Sequence, residues 1–423
     1  MPRSSSGGHD VISPSRRTLF CAAAAIGLIV ACPSGADATA ADETIPMERR
    51  VALSPDGRHI AILRVGRDNS RRVTLVQIVR TDALSAPPMR VRLGDIDAEA
   101  IQWGSNQQLL VRVRMEREFS QRAPTGSTME PDDLTISSRR LISIRVSDGQ
   151  AVPMFSGPRM RNTRNLGQVV ATLPDEAILV AAQAVRAAPG IDVADLQISA
   201  RFPDAPDIDG PLELHKVDLV TGTSELVETG GLFTTTWRAQ DGVAILRRDI
   251  SPAGDVAIWY ARAPATSSWR VLLRERIADA HGFNWVAAGR HGVAIVSCRL
   301  PGESVTSVRE LDLATLAFGA PIHGRDGRNV ETTVVAGDGR YLGAGFRDPD
   351  WDYDFVDNDV GADYQTIYRY FGADADVYLQ DVSAGRDRYL VQLGGSSPTG
   401  SWQLYDRTSG QFTNIASRAA LTG

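Results

Sequence analysis

The chain has 423 residues, 43% hydrophobic and 23% charged, so it can bury a sizeable core and falls outside the disordered class. Net charge is −6 with no basic stripe, which argues against nucleic acid as a partner, because a phosphate backbone demands one. Lys216 is the single lysine among 45 basic residues, a compositional bias that removes weight from any one arginine cluster as an anion site.

The chain opens on an export signal. Ser15-Arg16-Arg17-Thr18-Leu19-Phe20 reads as a twin-arginine motif, followed by an Ala-rich run over 21–31. That run falls short of the about 20 apolar residues needed to span a bilayer. Ile29-Val30-Ala31-Cys32 resembles the bacterial lipobox, in which a thiol receives diacylglycerol; the alternative is ordinary cleavage after Ala38-Thr39-Ala40 without lipid. The expectation is a signal peptide over 1–31, lipid attachment at Cys32, a tether over 32–46 and an exported, periplasmic protein held at the membrane only through that anchor. Of three cysteines, only Cys298 then remains in the folded part, so no internal disulfide can form. Following Val293-Ala294-Ile295-Val296, it reads as a buried small hydrophobe rather than a nucleophile.

From Met47 onward, short strands separated by Gly, Asp and Ser turns dominate. In Ser54-Pro55-Asp56-Gly57-Arg58, Pro55 fixes φ and Gly57 accepts the positive φ the turn needs before the apolar run Ile60-Ala61-Ile62-Leu63. Further strands are expected at 109–114, 141–146, 177–182, 212–219, 243–246, 256–260, 293–297, 308–313, 389–393 and 401–405. Many are apolar on both faces, as stacked sheets require. A second unit recurs: a strand, Asp or Ser, a short turn and another strand. It stands at Val146-Ser147-Asp148-Gly149, Val217-Asp218-Leu219-Val220-Thr221-Gly222, Leu311-Asp312-Leu313-Ala314-Thr315 and Tyr405-Asp406-Arg407-Thr408-Ser409-Gly410. This reads as the outer hairpin of a propeller blade, with the Asp oxygen capping turn amides. The fold class is all-β: a β-propeller of about seven blades over 47–423.

Insertions at 116–138 and 187–210, rich in Pro, Asp, Ala and Ser, read as extended loops on one face, where partner contacts would gather. One short helix is expected near 363–371, because Tyr364, Ile367, Tyr368 and Phe371 form one stripe, with Asp363 as its cap.

Catalytic signals are absent from the text of the chain. No Gly-x-Ser-x-Gly elbow occurs, and Gly394-Gly395-Ser396-Ser397-Pro398 reads as a hairpin loop. The histidines His9, His59, His215, His281, His291 and His323 show no metal-ligand spacing. Asp348, Asp350, Asp352, Asp354, Asp357 and Asp359 alternate as calcium ligands can, but the loop lacks the required glycine and bidentate Glu. With Trp351, Tyr353 and Phe355 interleaved, the segment reads as an edge with one aromatic face packed and one acidic face wet. No catalytic, cofactor or metal residues are assigned.

Several segments together resemble the non-catalytic N-terminal propeller of the prolyl oligopeptidase family of serine peptidases, in its exported bacterial dipeptidyl- and acylaminoacyl-peptidase branch. They are Leu53-Ser54-Pro55-Asp56-Gly57-Arg58, Ile101-Gln102-Trp103 before Gln108-Leu109-Leu110, Gly343-Ala344-Gly345-Phe346, Asp381-Val382-Ser383-Ala384-Gly385-Arg386-Asp387 and Ser401-Trp402-Gln403-Leu404-Tyr405-Asp406. The resemblance covers residues 47–417. It implies a domain that filters and docks peptides for an α/β-hydrolase domain, which follows the last blade in that family. Because the sequence ends at Gly423, no position here inherits a catalytic role, and the chain alone is expected to be silent: half of a split peptidase, a truncated copy, or a propeller reused as a stand-alone periplasmic lipoprotein that binds peptide or protein. The expected partners are a peptide or protein and a hydrolase domain on another chain.

Overall fold

A computed structural model describes residues 50–68, 71–120, 133–155, 166–185, 209–279, 282–372, 375–395 and 400–417. The expected signal peptide, Cys32 and the tether lie outside these residues, as do His9 and His281.

Seven antiparallel sheets follow one another along the chain, each a meander whose strands pair in sequence order. Blade 1 is β1 (Val51–Leu53), β2 (His59–Asp68), β3 (Arg71–Arg80) and β4 (Met89–Gly94). Blade 2 is β5 (Asp97–Trp103), β6 (Gln108–Ser120), β7 (Asp133–Arg145) and β8 (Ala151–Pro153). Blade 3 is β9 (Leu166–Leu173), β10 (Ala177–Val185), β11 (Asp209–Asp218) and β12 (Ser224–Thr229). Blade 4 is β13 (Thr234–Gln240), β14 (Val243–Ile250), β15 (Val256–Ala261) and β16 (Arg270–Arg276). Blade 5 is β17 (Asn284–Ala288), β18 (Val293–Cys298), β19 (Ser307–Asp312) and β20 (Phe318–His323). Blade 6 has three strands, β21 (Thr332–Val335), β22 (Tyr341–Arg347) and β23 (Trp351–Phe355), followed by helix α1 (Asn358–Phe371). Blade 7 is β24 (Ala375–Val382), β25 (Arg388–Gly395), β26 (Ser401–Asp406) and β27 (Gln411–Ser417).

The expected strands fall on the second and third strands of the blades. The reason is burial on both faces: β18 is buried at every position, whereas the fourth strand β12 is exposed at five of six. The hairpin chemistry also holds. Asp218 Oδ1 accepts from the amides of Val220 and Thr221 at 2.9 and 2.7 Å, and Asp312 Oδ1 does the same for Ala314 and Thr315 at 2.8 Å each. These bonds hold both carboxyls below their ordinary value, the Thr221 and Thr315 amides contributing most.

Two local expectations are corrected. The helix begins five residues early, at Asn358, and its N-cap is Asp357, whose carboxylate accepts from the Asp359 amide. Asp363 instead lies inside the helix, 7% exposed, on the face turned to blade 7. The insertion at 116–138 is an overhanging hairpin rather than a loop at its base: β6 and β7 stay in register from Met115–Ser138 to Ser120–Asp133.

Helix α1 stands where the other blades place a fourth strand. The outward backbone groups of Trp351 on β23 are taken up by side chains: its N–H donates to Asp376 Oδ1 at 3.0 Å, and its carbonyl accepts from Tyr364 Oη at 3.3 Å. No helix among the described residues is long and apolar enough to cross a membrane.

One apolar cluster fills each boundary between neighbouring blades. Ile101 and Leu109 meet Ala61 and Leu63 between blades 2 and 1; Met154 and Phe155 meet Ile178 and Val217 between blades 2 and 3. Trp237 meets Leu179 and Leu214, Trp259 meets Phe283 and Val296, and Phe346 meets Ile295 and Val308. Tyr353, the helix residues Val360, Tyr364 and Ile367, and Val377 bind blade 6 to blade 7. The circuit closes where Val51, Leu53 and Ile60 of blade 1 pack on Leu390, Trp402 and Leu404 of blade 7.

That last boundary is closed without a shared strand. Gln380 Nε2 donates to the Val51 carbonyl at 2.5 Å, Asp381 accepts from the Leu53 amide at 3.0 Å, and the Ala384 amide donates to the Pro55 carbonyl at 2.7 Å. Trp402 Nε1 fixes Gln380 from behind at 2.9 Å. Close turn packing explains two glycines. A Cβ on Gly57 (φ +75°) would meet the Ser383 Cβ at 2.8 Å, and one on Gly337 would meet the Pro55 carbonyl oxygen at 2.3 Å.

Candidate functional site

In such a meander the first-to-second and third-to-fourth turns share one rim, and the second-to-third connections share the other. The two long insertions both join second to third strands, β6 to β7 and β10 to β11, and so leave from one rim. This is the insertion rim, and six paired positions of the β6–β7 hairpin overhang it, beyond the Asp97–Arg114 pair that ends β5.

Toward that rim stand charged pairs, most of them within a single blade. Glu99 is enclosed by Arg112, Arg114 and Arg139 at 3.3, 3.0 and 3.2 Å. Arg247 pairs with Asp249 at 3.0 Å, and Thr234 donates to the same carboxylate. Arg309, 3% exposed, forks onto Glu303 at 2.7 and 2.9 Å and donates to Ser307. Arg325 bonds Asp352 at 2.6 Å and Asp354 at 2.9 and 2.7 Å, with its guanidinium 4.3 Å from the Phe346 ring centre. Arg347 reaches Asp376 at 3.5 Å. These pairs range from buried, as at Arg309, to half-exposed, as at Asp352 and Arg347, and each charge is matched by an opposite one.

The acidic run divides as its alternation implies. Tyr353 points into the core and Asp352 and Asp354 point to Arg325, while Asp348 pairs with Arg328, Asp357 with Arg386 and Asp359 with Arg407. The acidic face is exposed, as expected, at Asp348, Asp350, Asp352 and Asp359, and arginines pair with most of its carboxylates. Among the described residues, no three His, Cys, Asp or Glu side chains converge as a metal site.

The remaining candidates occupy structural settings. Cys298 is buried, and burial pushes its thiol up to about 12, far from a reactive thiolate. His215 bonds Glu213 at 3.0 Å and packs edge-on against Phe155. His59 lies beside Trp103, with burial lowering its pKa. Gly394 and Gly395 end β25 and Ser401 opens β26, a hairpin position; residues 396–399 between them lie outside the described residues. Most of the insertion at 187–210 is likewise outside them. The Glu99 cluster and a bond between His323 and Tyr341 were not signalled by any motif. Only the shared face of Arg112 and Arg114, two apart on a strand, pointed to the former.

Neither a protein-family profile nor a curated protein matches the sequence. Among solved structures the chain is similar to the β-propeller domain of the Trilobed protease from Pyrococcus furiosus, at 8% identity and TM-score 0.43, over 88% of this chain and 98% of that one. It is similar to a prolyl endopeptidase at 11% identity and TM-score 0.47, over 87% and 49% of the two chains. It is also similar to a puromycin-hydrolyzing peptidase of Mycobacterium tuberculosis at 13% identity and TM-score 0.44, over 88% and 54%. The chain thus spans about half the length of these two peptidases. The order of its sheets makes this chain a seven-bladed propeller.

Proposed function

We propose that this propeller acts as a recognition and gating domain for a prolyl-oligopeptidase-like hydrolase carried elsewhere than residues 50–417, and is catalytically silent by itself. The observation that supports this reading is the insertion rim, which the β6–β7 hairpin overhangs and from which the β10–β11 connection departs, with matched charge pairs beside it. Such a rim orients and excludes polypeptide by shape and polarity; its arginines are engaged by carboxylates rather than poised for proton transfer. The one described thiol, Cys298, is buried with its pKa raised, which does not suit an acyl-transfer nucleophile. The partner is a peptide delivered to a hydrolase domain, and Cys32 carries the lipid that holds the protein on the periplasmic side.

A fluorophosphonate probe tests the reading. The purified chain should remain unlabelled, and a serine hydrolase co-purifying with it should label. Labelling of the purified chain at any serine would overturn the proposal. Loss of radiolabelled palmitate on Cys32→Ala would support the anchor; unlabelled wild-type protein would refute it.

A further inference from the structure

We propose that the hydrogen bond between His323 and Tyr341 is an acid-sensitive latch between blades 5 and 6. His323 ends β20, the outer strand of blade 5, and Tyr341 begins β22 in blade 6. Nδ1 of His323 lies 2.6 Å from Tyr341 Oη, with the rings tilted against one another 5.7 Å apart. Tyr341 is 8% exposed, and among the described residues its hydroxyl bonds this imidazole.

The chemistry depends on which atom donates. With neutral imidazole, the tyrosine O–H donates to Nδ1 and both groups are satisfied. With imidazolium, Nδ1–H must donate and Oη can only accept, which leaves the buried tyrosine proton without an acceptor. The charged groups facing His323 do not favour the cation strongly. Asp354 on β23 attracts it but is already bonded twice by Arg325, and Arg325, in the link from blade 5 to blade 6, repels it. Burial is the largest influence, and it lowers the histidine pKa below 6.5.

The sign follows from linkage. A histidine whose pKa is depressed in the fold binds its proton more readily when the blades part. Stability at this boundary is therefore fully present at neutral pH and declines as pH falls below about 6.5. Blades 5 and 6 loosen first, while the closure between blades 7 and 1, which contains no histidine in its bonds, holds.

Hydrogen exchange on the full chain at pH 7.5 and 5.0, corrected for intrinsic rates, tests this. Amides of β21 and β22 should exchange at least tenfold faster at pH 5.0 in wild type, with β25 unchanged. His323→Gln keeps a neutral acceptor for Tyr341 and should abolish the acceleration. His59, also lowered by burial, serves as the control: His59→Gln should leave the acceleration intact. Equal acceleration in His323→Gln, or none in wild type, would overturn the latch. If His323→Gln does not fold, the wild-type ring titration decides: a His323 pKa at or above 6.5 refutes the proposal, and one below it supports it.

Discussion

The amide of Leu53 donates to the carboxylate of Asp381 at 3.0 Å across 328 residues of chain. β1 has only three residues, and its pairing with β2 uses the groups of Ala52, so Val51 and Leu53 present theirs to the neighbouring blade. Blade 7 meets them with the side chains of Gln380 and Asp381 from its own first strand. Two side chains thus do what a shared strand would do in a ring closed by exchange.

Asp381→Ala should therefore weaken the closure rather than a single blade. Removing the acceptor leaves the Leu53 amide unpaired, at a cost of about 1–3 kcal/mol in urea unfolding. If the variant unfolds at the wild-type midpoint, the bond does not contribute to closure.

The helix offers a paired comparison. Asp363 Oδ2 accepts from Tyr389 Oη at 2.6 Å and lies 3.2 Å from Arg407, so Asp363→Ala orphans a wholly buried hydroxyl and leaves Arg407 only the more distant Asp359 carboxylate. A loss of about 2–3 kcal/mol is expected. Asp357→Ala removes the N-cap and a part-exposed pair with Arg386 and should cost less, about 1–2 kcal/mol. Chemical denaturation of both variants checks the order; the reverse order would contradict the placement of Asp363.

At the first-to-second turns, Gly337→Ala and Gly339→Ala separate crowding from backbone strain. The new Cβ at Gly337 would sit 2.3 Å from the Pro55 carbonyl oxygen and 2.6 Å from its Cα, so blades 6 and 1 must separate, at about 3 kcal/mol. Gly339 has φ +84° with open space around it, so strain alone remains, about 1–2 kcal/mol. Thermal unfolding should rank them in that order.

Asp354 carries a pH signature of the same sign as that of His323, in a more acidic window. Hydrogen bonds from Arg325 are the largest of the influences holding its carboxyl below the ordinary value. Its contribution is present above about pH 4 and is lost as pH falls through the folded value. Arg325→Met should flatten the decline of stability below pH 4, measured by acid titration of urea midpoints.

How much of this was legible in sequence depends on where each strand lies. Segments such as Val256-Ala257-Ile258-Trp259 and Val293-Ala294-Ile295-Val296 were readable because second and third strands are covered on both sides. The outer strands β12 (Ser-Glu-Leu-Val-Glu-Thr) and β16 (Arg-Val-Leu-Leu-Arg-Glu-Arg) carry no such run, since one edge and much of both faces meet water. β1 was hidden for another reason: three residues are too few for a period. The helix start was misread because Asp363 precedes the aromatic stripe, as a cap would; tertiary bonds to Tyr389 and Arg407, invisible locally, explain it. The charged clusters were equally hidden, because Glu99, Arg112 and Arg139 meet only once β5, β6 and β7 pair.

Ring closure is measured most directly at one amide. Hydrogen exchange at Leu53 should be as slow as at Leu390 and Val391 in the core of β25, and should accelerate selectively in Asp381→Ala. Exchange at Leu53 near the rate of an unprotected amide in the wild-type chain, with β25 still protected, would show that blades 1 and 7 do not close the ring.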